Sequence, residues 1–297
     1  MPPTPAPRLN VKVRRKETDG RFGQLHLECP DEARRAVPGQ FVQLRAPEGR
    51  APQQNLLRRP FSIHLWIDAN GDPAPSPERI AGLAVYFKII GPGTQALAAL
   101  EQGDGVDFLG PLGVGRDLSE PAPDRVWCVG GGYGVAPMLF WGQSLADAAT
   151  EKHLVYGINQ LSDLPAFPSF SDGYFHYMAK ALGMQFHLSA VHLVRDLFVG
   201  TCVALLEKLL EAAPGGVGRD EVVACGPMGM MKATALVAWQ RHLPCRVMLE
   251  EMMACGTGVC RSCVCPGRGE DGSARNITTC TEGPLLDAAR VAWDEIG

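Results

Sequence analysis

Cys255-Gly256-Thr257-Gly258-Val259-Cys260-Arg261-Ser262-Cys263 spaces three cysteines as C-x4-C-x2-C, and a fourth, Cys280, follows after sixteen intervening residues. This is the spacing of plant-type [2Fe–2S] centres. Two irons bridged by sulfide need four thiolates in a tight arc. A short loop delivers three of them and a distant cysteine closes the cage. Gly256 and Gly258 accept positive φ and let backbone N–H groups turn toward the sulfurs, where hydrogen bonds disperse charge and tune the potential. Zinc and disulfides are the rivals. A zinc ribbon asks for a second C-x2-C pair, whereas Cys280 is followed by Thr281-Glu282-Gly283. The expected ligand set is Cys255, Cys260, Cys263 and Cys280; Cys265, two residues past Cys263, could compete with it and is expected to be a bystander.

Outward from this loop, the other cysteines are scattered. Of ten in the chain, Cys29, Cys128, Cys202, Cys225 and Cys245 lie in the first 250 residues. Isolated cysteines are usually small buried hydrophobes, and that is the reading for all of these but Cys225. A chain of 297 residues, 46% hydrophobic and 20% charged, is long enough for two or three compact units without disulfide staples. A net charge of −4 makes no electrostatic case for nucleic acid. No apolar run approaches the roughly 18 residues of a membrane span. Met1-Pro2-Pro3-Thr4-Pro5 has no basic flank leading into an apolar stretch, so a secretory signal is not expected and a cytoplasmic, reducing setting is.

The first 118 residues read as short strands: Leu9–Val13, Gln24–Glu28, Gln40–Leu44, Ser62–Ile67, Gly82–Ile90 and Gly105–Leu109. Turn clusters such as Thr18-Asp19-Gly20, Pro47-Glu48-Gly49 and Gly71-Asp72-Pro73 separate them. That spacing suggests a small antiparallel barrel or sandwich, interrupted by a helix over Thr94–Leu100. From 119 the pattern changes to strand, turn and helix. Arg125–Val129 leads through a glycine turn into a helix over Ala136–Ala149. His153–Gly157 is a second strand, and Glu221–Cys225 runs into a helix over Pro227–His242. This repetition predicts a parallel α/β sheet. From 243 onward periodicity fades around Gly, Cys and Thr, as suits a loop wrapped about a prosthetic group. The fold class is α+β multidomain, with units at 1–118, 119–242 and 243–297.

Two segments of the first unit suit a dinucleotide such as FAD. Arg58-Arg59-Pro60-Phe61-Ser62-Ile63 enters a strand, where an arginine can pair with phosphate and the strand can present Ser62 to a flat ring. Such an arginine is equally at home in solvent. Tyr86-Phe87-Lys88 leads to Gly91-Pro92-Gly93-Thr94, a glycine turn opening a helix and so a ready anion site. In the second unit, Gly130-Gly131-Gly132-Tyr133-Gly134 resembles a phosphate-cradling turn without fitting G-x-G-x-x-G, and a plain tight turn is its alternative. Cys225-Gly226-Pro227 ends a strand, the place where α/β sheets bind ligands. Cys225 is thus positioned either to face a nicotinamide or to be a buried structural thiol.

In that order, RPFS, GPGT, GGGYG, CGP and the cysteine loop, the chain resembles the ferredoxin–NADP reductase superfamily. More closely it resembles the electron-transfer subunits of type 1B dihydroorotate dehydrogenase, over residues 8 to 294 and with Glu250-Glu251-Met252-Met253-Ala254-Cys255-Gly256 among the specific marks. The resemblance implies an FAD-binding barrel, an NAD-binding α/β unit and a [2Fe–2S] unit. It assigns FAD to Arg59, Pro60, Phe61, Ser62, Tyr86, Phe87, Lys88, Gly93 and Thr94, and the cluster to Cys255, Cys260, Cys263 and Cys280. Gly130, Gly131, Gly132, Gly134, Gly226 and Pro227 are the nucleotide candidates and Cys225 the catalytic one. The implied partner is an FMN-containing catalytic subunit that oxidises dihydroorotate to orotate in pyrimidine synthesis. A departure lies between Phe167 and Gly200, where His192-Leu193-Val194-Arg195-Asp196 replaces a polar turn ahead of Gly200-Thr201. Two alternatives stand beside this reading. One is a subunit of a related flavin-based reductase, of the sulfide dehydrogenase or NADH-dependent ferredoxin–NADP oxidoreductase type. The other is a redox-sensing FAD/[2Fe–2S] module without turnover.

Overall fold

Alternating apolar residues in the first third close into an antiparallel barrel. Its strands are β1 (Arg8–Thr18), β2 (Phe22–Glu28), β3 (Phe41–Arg45), β4 (Arg59–Ile67), β5 (Gly82–Lys88) and β6 (Gly105–Leu112), in the order β1-β2-β5-β4-β3-β6. Closure leaves no free sheet edge, and the inward set of Leu25, Leu27, Val42, Leu44, Ile63, Val85 and Phe108 is fully buried. Two short helices, α1 (Pro30–Arg35) and α2 (Pro92–Ala98), cover the barrel. The computed structural model describes residues 8–47, 57–146, 149–171, 173–192, 197–213, 219–269 and 271–296. Glu48 and Gly49 of an expected turn, residues 147–148 of an expected helix and residues 193–196 lie outside them.

The second third is a doubly wound sheet. It comprises β7 (Arg125–Gly131), α3 (Ala136–Gln143), β8 (Glu151–Ile158), α4 (Tyr174–Ala181), β9 (Gln185–Ala190), β10 (Phe198–Val199), α5 (Cys202–Ala212), β11 (Asp220–Cys225), α6 (Met228–Gln240) and β12 (Cys245–Met248). A hairpin of β13 (Val264–Arg268) and β14 (Ala274–Thr278), a short α7 (Thr279–Glu282) and β15 (Leu285–Asp287) complete the chain. The sheet order is β10-β9-β8-β7-β11-β12-β15, parallel throughout except for β15, which pairs antiparallel with β12. The stretch after residue 243 therefore begins and ends as strands of this sheet. Among the described residues no helix is long and apolar enough to cross a membrane.

Several elements differ from expectation. Helix α2 starts at Pro92 rather than Thr94, because proline is pre-set for the first helical turn. Helix α3 ends at Gln143 rather than Ala149, where the Ser144 hydroxyl donates to the Trp141 carbonyl at 2.7 Å and the chain turns. The elements α4, β9, β10 and α5 were not expected. The cue for α5 was present in Thr201, whose hydroxyl accepts the Ala204 N–H at 3.2 Å as an N-cap, ahead of Cys202, Leu205 and Leu206 on one buried face.

One apolar core runs from the barrel into the sheet: Phe22, Leu65, Ile67 and Tyr86 pack with Met138, Trp141, Tyr174 and Phe175. The barrel and the sheet thus share a dry boundary. At roughly 25 cal/mol per Å² of apolar surface, such a boundary resists hinging.

Candidate functional site

A cavity of about 350 Å³ opens where the barrel meets the start of α3, within the range of small-molecule sites. Arg59, Pro60, Phe61 and Ser62 reach it from β4, and Tyr86, Phe87 and Lys88 from the end of β5. Gly93 and Thr94 reach it from the start of α2. Phe41, Ala136, Leu249, Glu250, Glu251 and Met253 close the far side. The tandem arginines separate in role. Arg58 donates from Nε and Nη2 to one oxygen of Asp107 at 2.9 and 2.8 Å, while Arg45 holds the other oxygen, so Arg58 is spent on the barrel wall. Arg59 donates to the Leu57 carbonyl on its own loop and remains on the cavity rim. The Thr94 hydroxyl accepts the N–H groups of Ile90 and Gly91 at 3.0 and 3.1 Å, so it caps α2 and holds the glycine turn.

A second cavity of about 290 Å³ lies at the carboxyl ends of β7, β8 and β11, lined by Gly131, Gly132, Tyr133, Gly157, Asp163, Thr201, Cys202 and Pro227 among others. Gly130, Gly134, Cys225 and Gly226 line neither cavity. They form the backing. A Cβ on Gly134 would overlap the Cys225 carbonyl, so only glycine allows the turn to lie this close to β11. Cys225 itself is fully buried, and burial, then the nearby Glu250 carboxylate, push its thiol well above the ordinary range. It holds its proton.

The segment whose sequence looked unusual straps the sheet to the barrel. Phe167, Tyr174 and Phe175 pack their rings around Tyr86, at centroid distances of 6.2, 6.5 and 5.1 Å. The Gln24 amide donates to the Tyr174 hydroxyl at 2.6 Å. That hydroxyl lies 2.6 Å from His64 Nε2, and His64 Nδ1 lies 2.8 Å from the Ala136 carbonyl. With Nδ1 facing a carbonyl, His64 donates there and accepts from Tyr174. This buried rail connects the strap to Ala136 on the first cavity's wall. Sequence reasoning missed it because its members lie at positions 24, 64, 136 and 174. The repeated aromatics at Phe167, Phe170, Tyr174 and Phe175 were the available signal.

Residues 249–263 carry no helix or strand. Gly256 and Gly258 sit at φ 71° and 84°, a region favourable to glycine. The N–H groups of Thr257 and Cys260 both donate to Cys255 Sγ at 3.4 Å. Burial raises the Cys255 pKa, but these two N–H groups outweigh it and lower the thiol below its ordinary range. The Ser262 hydroxyl and N–H hold Cys260 down at about 6. Cys263 and Cys280 are buried with Phe41, Leu109 and Leu112 of the barrel. Burial, then the neighbouring Cys263, push Cys280 up to about 12.

Three features fit a resident cluster. Backbone donors already point at a sulfur, the Thr279 hydroxyl beside Cys280 is buried without a partner, and Cys280 interacts with both Cys263 and Cys255. Among the described residues no three His, Cys, Asp or Glu side chains gather tightly about one point; a two-iron cluster spreads its thiolates over two metal centres. Cys265 faces away, buried in the core of the sheet with Val247, Ile277 and Leu286. None of the ten cysteines is in a disulfide.

The family model for the iron–sulfur cluster binding domain of dihydroorotate dehydrogenase B matches residues 250–292. The chain is 32% identical over 270 residues to the electron transfer subunit of dihydroorotate dehydrogenase B (NAD(+)) of Desulforamulus reducens, covering 91% of this chain and 92% of that one. It is 31% identical to the Enterococcus faecalis subunit of the same name, covering 94% and 95%. Among solved structures, an NADH-dependent reduced ferredoxin–NADP oxidoreductase aligns over 100% of this chain and 93% of its own, with a TM-score of 0.73 at 24% identity. A Neisseria gonorrhoeae ferredoxin NADP+ reductase with bound FAD and NADP aligns over 80% and 91%, with a TM-score of 0.53 at 18% identity. The last two likenesses concern the fold.

Proposed function

The chain belongs to the family of dihydroorotate dehydrogenase B electron-transfer subunits, and from that premise we propose that it carries electrons from a catalytic partner, which oxidises dihydroorotate to orotate for pyrimidine synthesis, to NAD+. The partner is an FMN-bearing subunit and the assembly is a cytoplasmic hetero-oligomer. The first cavity is the flavin site, the second the nicotinamide nucleotide site, and Cys255, Cys260, Cys263 and Cys280 hold the [2Fe–2S] cluster. When bound, FAD exchanges both electron pairs and single electrons, NAD only pairs and the cluster only single electrons, so a flavin between the other two is what makes the relay work.

The observation that carries this reading is continuity. Leu249, Glu250, Glu251 and Met253 line the flavin cavity, and the chain reaches Cys255 two residues later. Two residues of extended chain span at most roughly 7 Å, so one segment serves both sites. The chain's own residues supply charge, shape and dryness. Arg59 offers its guanidinium at the rim for a phosphate. Phe61, Tyr86 and Phe87 present aromatic wall, and Ser62 offers a polar group to the ring. Cys225, protonated and behind the Gly131 turn, contributes shape with Gly226 and Pro227 and moves no proton. Hydride transfer asks for alignment and exclusion of water rather than for an acid or base. Of the units we propose, 1–118, 119–242 and 243–297, the third lends β12 and β15 to the sheet of the second, and all three contribute residues to these sites.

The test is anaerobic co-purification with a candidate FMN subunit, with analysis of iron, inorganic sulfide and FAD. The loaded complex is expected to contain the cluster and to reduce NAD+ with dihydroorotate. A fully loaded complex that does not do so removes the assignment. NADH-driven bleaching of the flavin band excludes a module without turnover.

A further inference from the structure

Among the described residues that line the second cavity, Lys88 and Asp163 are the charged ones. Lys88 also lines the first cavity, so it marks the end where the two adjoin. Asp163 lines the second cavity alone. It closes a single 3-10 turn, Leu161–Asp163, shortly after β8 ends at Ile158. That turn folds back on the strand end. Asp163 Oδ2 accepts the N–H groups of Asn159 at 3.2 Å and Gln160 at 3.1 Å, and the Asp163 N–H donates to the Gln160 carbonyl at 2.9 Å. These bonds fix where the half-buried carboxylate stands. They use one of its oxygens; among the described residues Oδ1 takes no hydrogen bond from the protein.

On the proposed reading of the two cavities, a nicotinamide has to reach the flavin, so it takes the shared end and leaves the other end to the adenosine half. The glycine turn after β7 then faces the pyrophosphate. The parallel neighbour β8 ends beside the adenosine ribose, which is where an acid reads the 2′ position in a dinucleotide fold. A 2′-hydroxyl donates to a carboxylate oxygen, whereas a 2′-phosphate brings it acceptors and like charge. A rival cation stands close by. Arg21 of the barrel donates from Nη2 to the Leu164 carbonyl at 3.2 Å, one residue past Asp163. The same Nη2 donates to Asp19 Oδ2 at 3.4 Å, and the guanidinium lies over the Phe22 ring. Arg21 is thus engaged elsewhere and does not line the cavity. We propose that Asp163 is a specificity-determining residue: it selects NAD over NADP by accepting a hydrogen bond from the adenosine 2′-hydroxyl and repelling a 2′-phosphate. The inference rests on the nucleotide reading of the second cavity and adds to it the residue that reads the ribose.

ADP-ribose and 2′-phospho-ADP-ribose differ at the 2′ position and carry no nicotinamide, so they report on the ribose and not on the flavin. Their binding to FAD-loaded protein is measured by calorimetry for the wild type and Asp163→Asn. The wild type is expected to favour ADP-ribose by more than about tenfold. Asp163→Asn keeps an oxygen for the two loop N–H groups and loses the charge. It is expected to cut the preference on the order of tenfold, the difference between a charged and a neutral hydrogen bond, chiefly by tightening the phosphorylated ligand. Asp163→Ser, a smaller neutral acceptor, is expected to show the same loss of preference and replaces the first variant if the amide disturbs the loop. A wild type that binds the two ligands alike or favours the 2′-phosphate overturns the selection. So does an equal change for both ligands in the variants, which would mean that Asp163 only shapes its loop. A wild-type protein that holds FAD and binds neither ligand removes the nucleotide reading and this inference with it.

Discussion

The first cavity, which we propose as the flavin site, and the 249–263 loop, which we propose holds the cluster, meet over Leu249, Glu250, Glu251 and Met253 and are otherwise built in opposite ways. The cavity is walled by strands whose hydrogen bonds are already made, β4 with β3 and β5, and backed by an aromatic core of Tyr86, Phe167, Tyr174 and Phe175. The loop at 249–263 makes no ladder, and its form rests on two glycines in the left-handed region, on N–H groups turned to a sulfur and on a few contacts with the barrel. A site on strands is shaped before its ligand arrives. A site on such a loop depends on its ligand for part of its stability, since metal binding contributes directly to folding free energy.

The largest effect that probes this contrast is expected from Cys260→Ser. One thiolate short, the loop should lose the cluster, with its visible absorption, iron and sulfide, while FAD content stays near that of the wild type. An intact cluster spectrum would remove Cys260 from the ligand set, and parallel loss of FAD would show that the cavity also leans on the cluster.

The next effect belongs to the cavity side alone. Burial holds His64 at about 4 and His26 at about 3, against 6.5 for an unburied histidine. As pH falls below about 6.5 the unfolded chain takes up protons that the folded chain refuses until near its own lower values. The stability present above about 6.5 is therefore lost toward pH 4. For His64 the interval from 6.5 to about 4 corresponds to a loss of up to about 3 kcal/mol. Thermal melts at pH 7 and pH 4.5 should show the fall, and His64→Gln should flatten it. Equal slopes in the variant and the wild type would mean that the Gln24–Tyr174–His64 rail is not responsible.

The smallest expected effect tests the seam between the two sites. The Gln43 amide on β3 donates to the Ala254 carbonyl at 3.3 Å, and its side chain would lie 2.8 Å from a Cβ on Gly256. Gln43→Ala should cost roughly 0.5–1.5 kcal/mol, read as faster loss of the cluster to a chelator at unchanged FAD affinity. If chelation proceeds at the wild-type rate, the barrel does not help to hold the loop.

Legibility in the sequence follows the same contrast. The barrel strands could be read because burial on one face imposes alternation, which survives in any linear listing. The proposed cluster ligands could be picked out because three of the four sit within nine residues, so a close arrangement is written as spacing. The tail was less legible. Strands β12 and β15 are short members of a sheet whose neighbours lie elsewhere in the chain, and a three- or four-residue strand carries too little periodicity to declare itself. The Phe167–Gly200 stretch was opaque for a related reason: its aromatics serve the barrel, and nothing local says what they pack against.

Residue order by itself determined the cysteine spacing, the glycine turns and the succession of barrel, sheet and cysteine loop, because each is written in neighbouring residues or in a short repeat. Only the tertiary structure decided that Arg58 serves the barrel while Arg59 stays on the rim, that Cys225 lies behind the wall, and that Asp163 lines the second cavity. Those outcomes depend on which distant segments meet. Burial, pairing and proton affinity are properties of that meeting rather than of any residue alone.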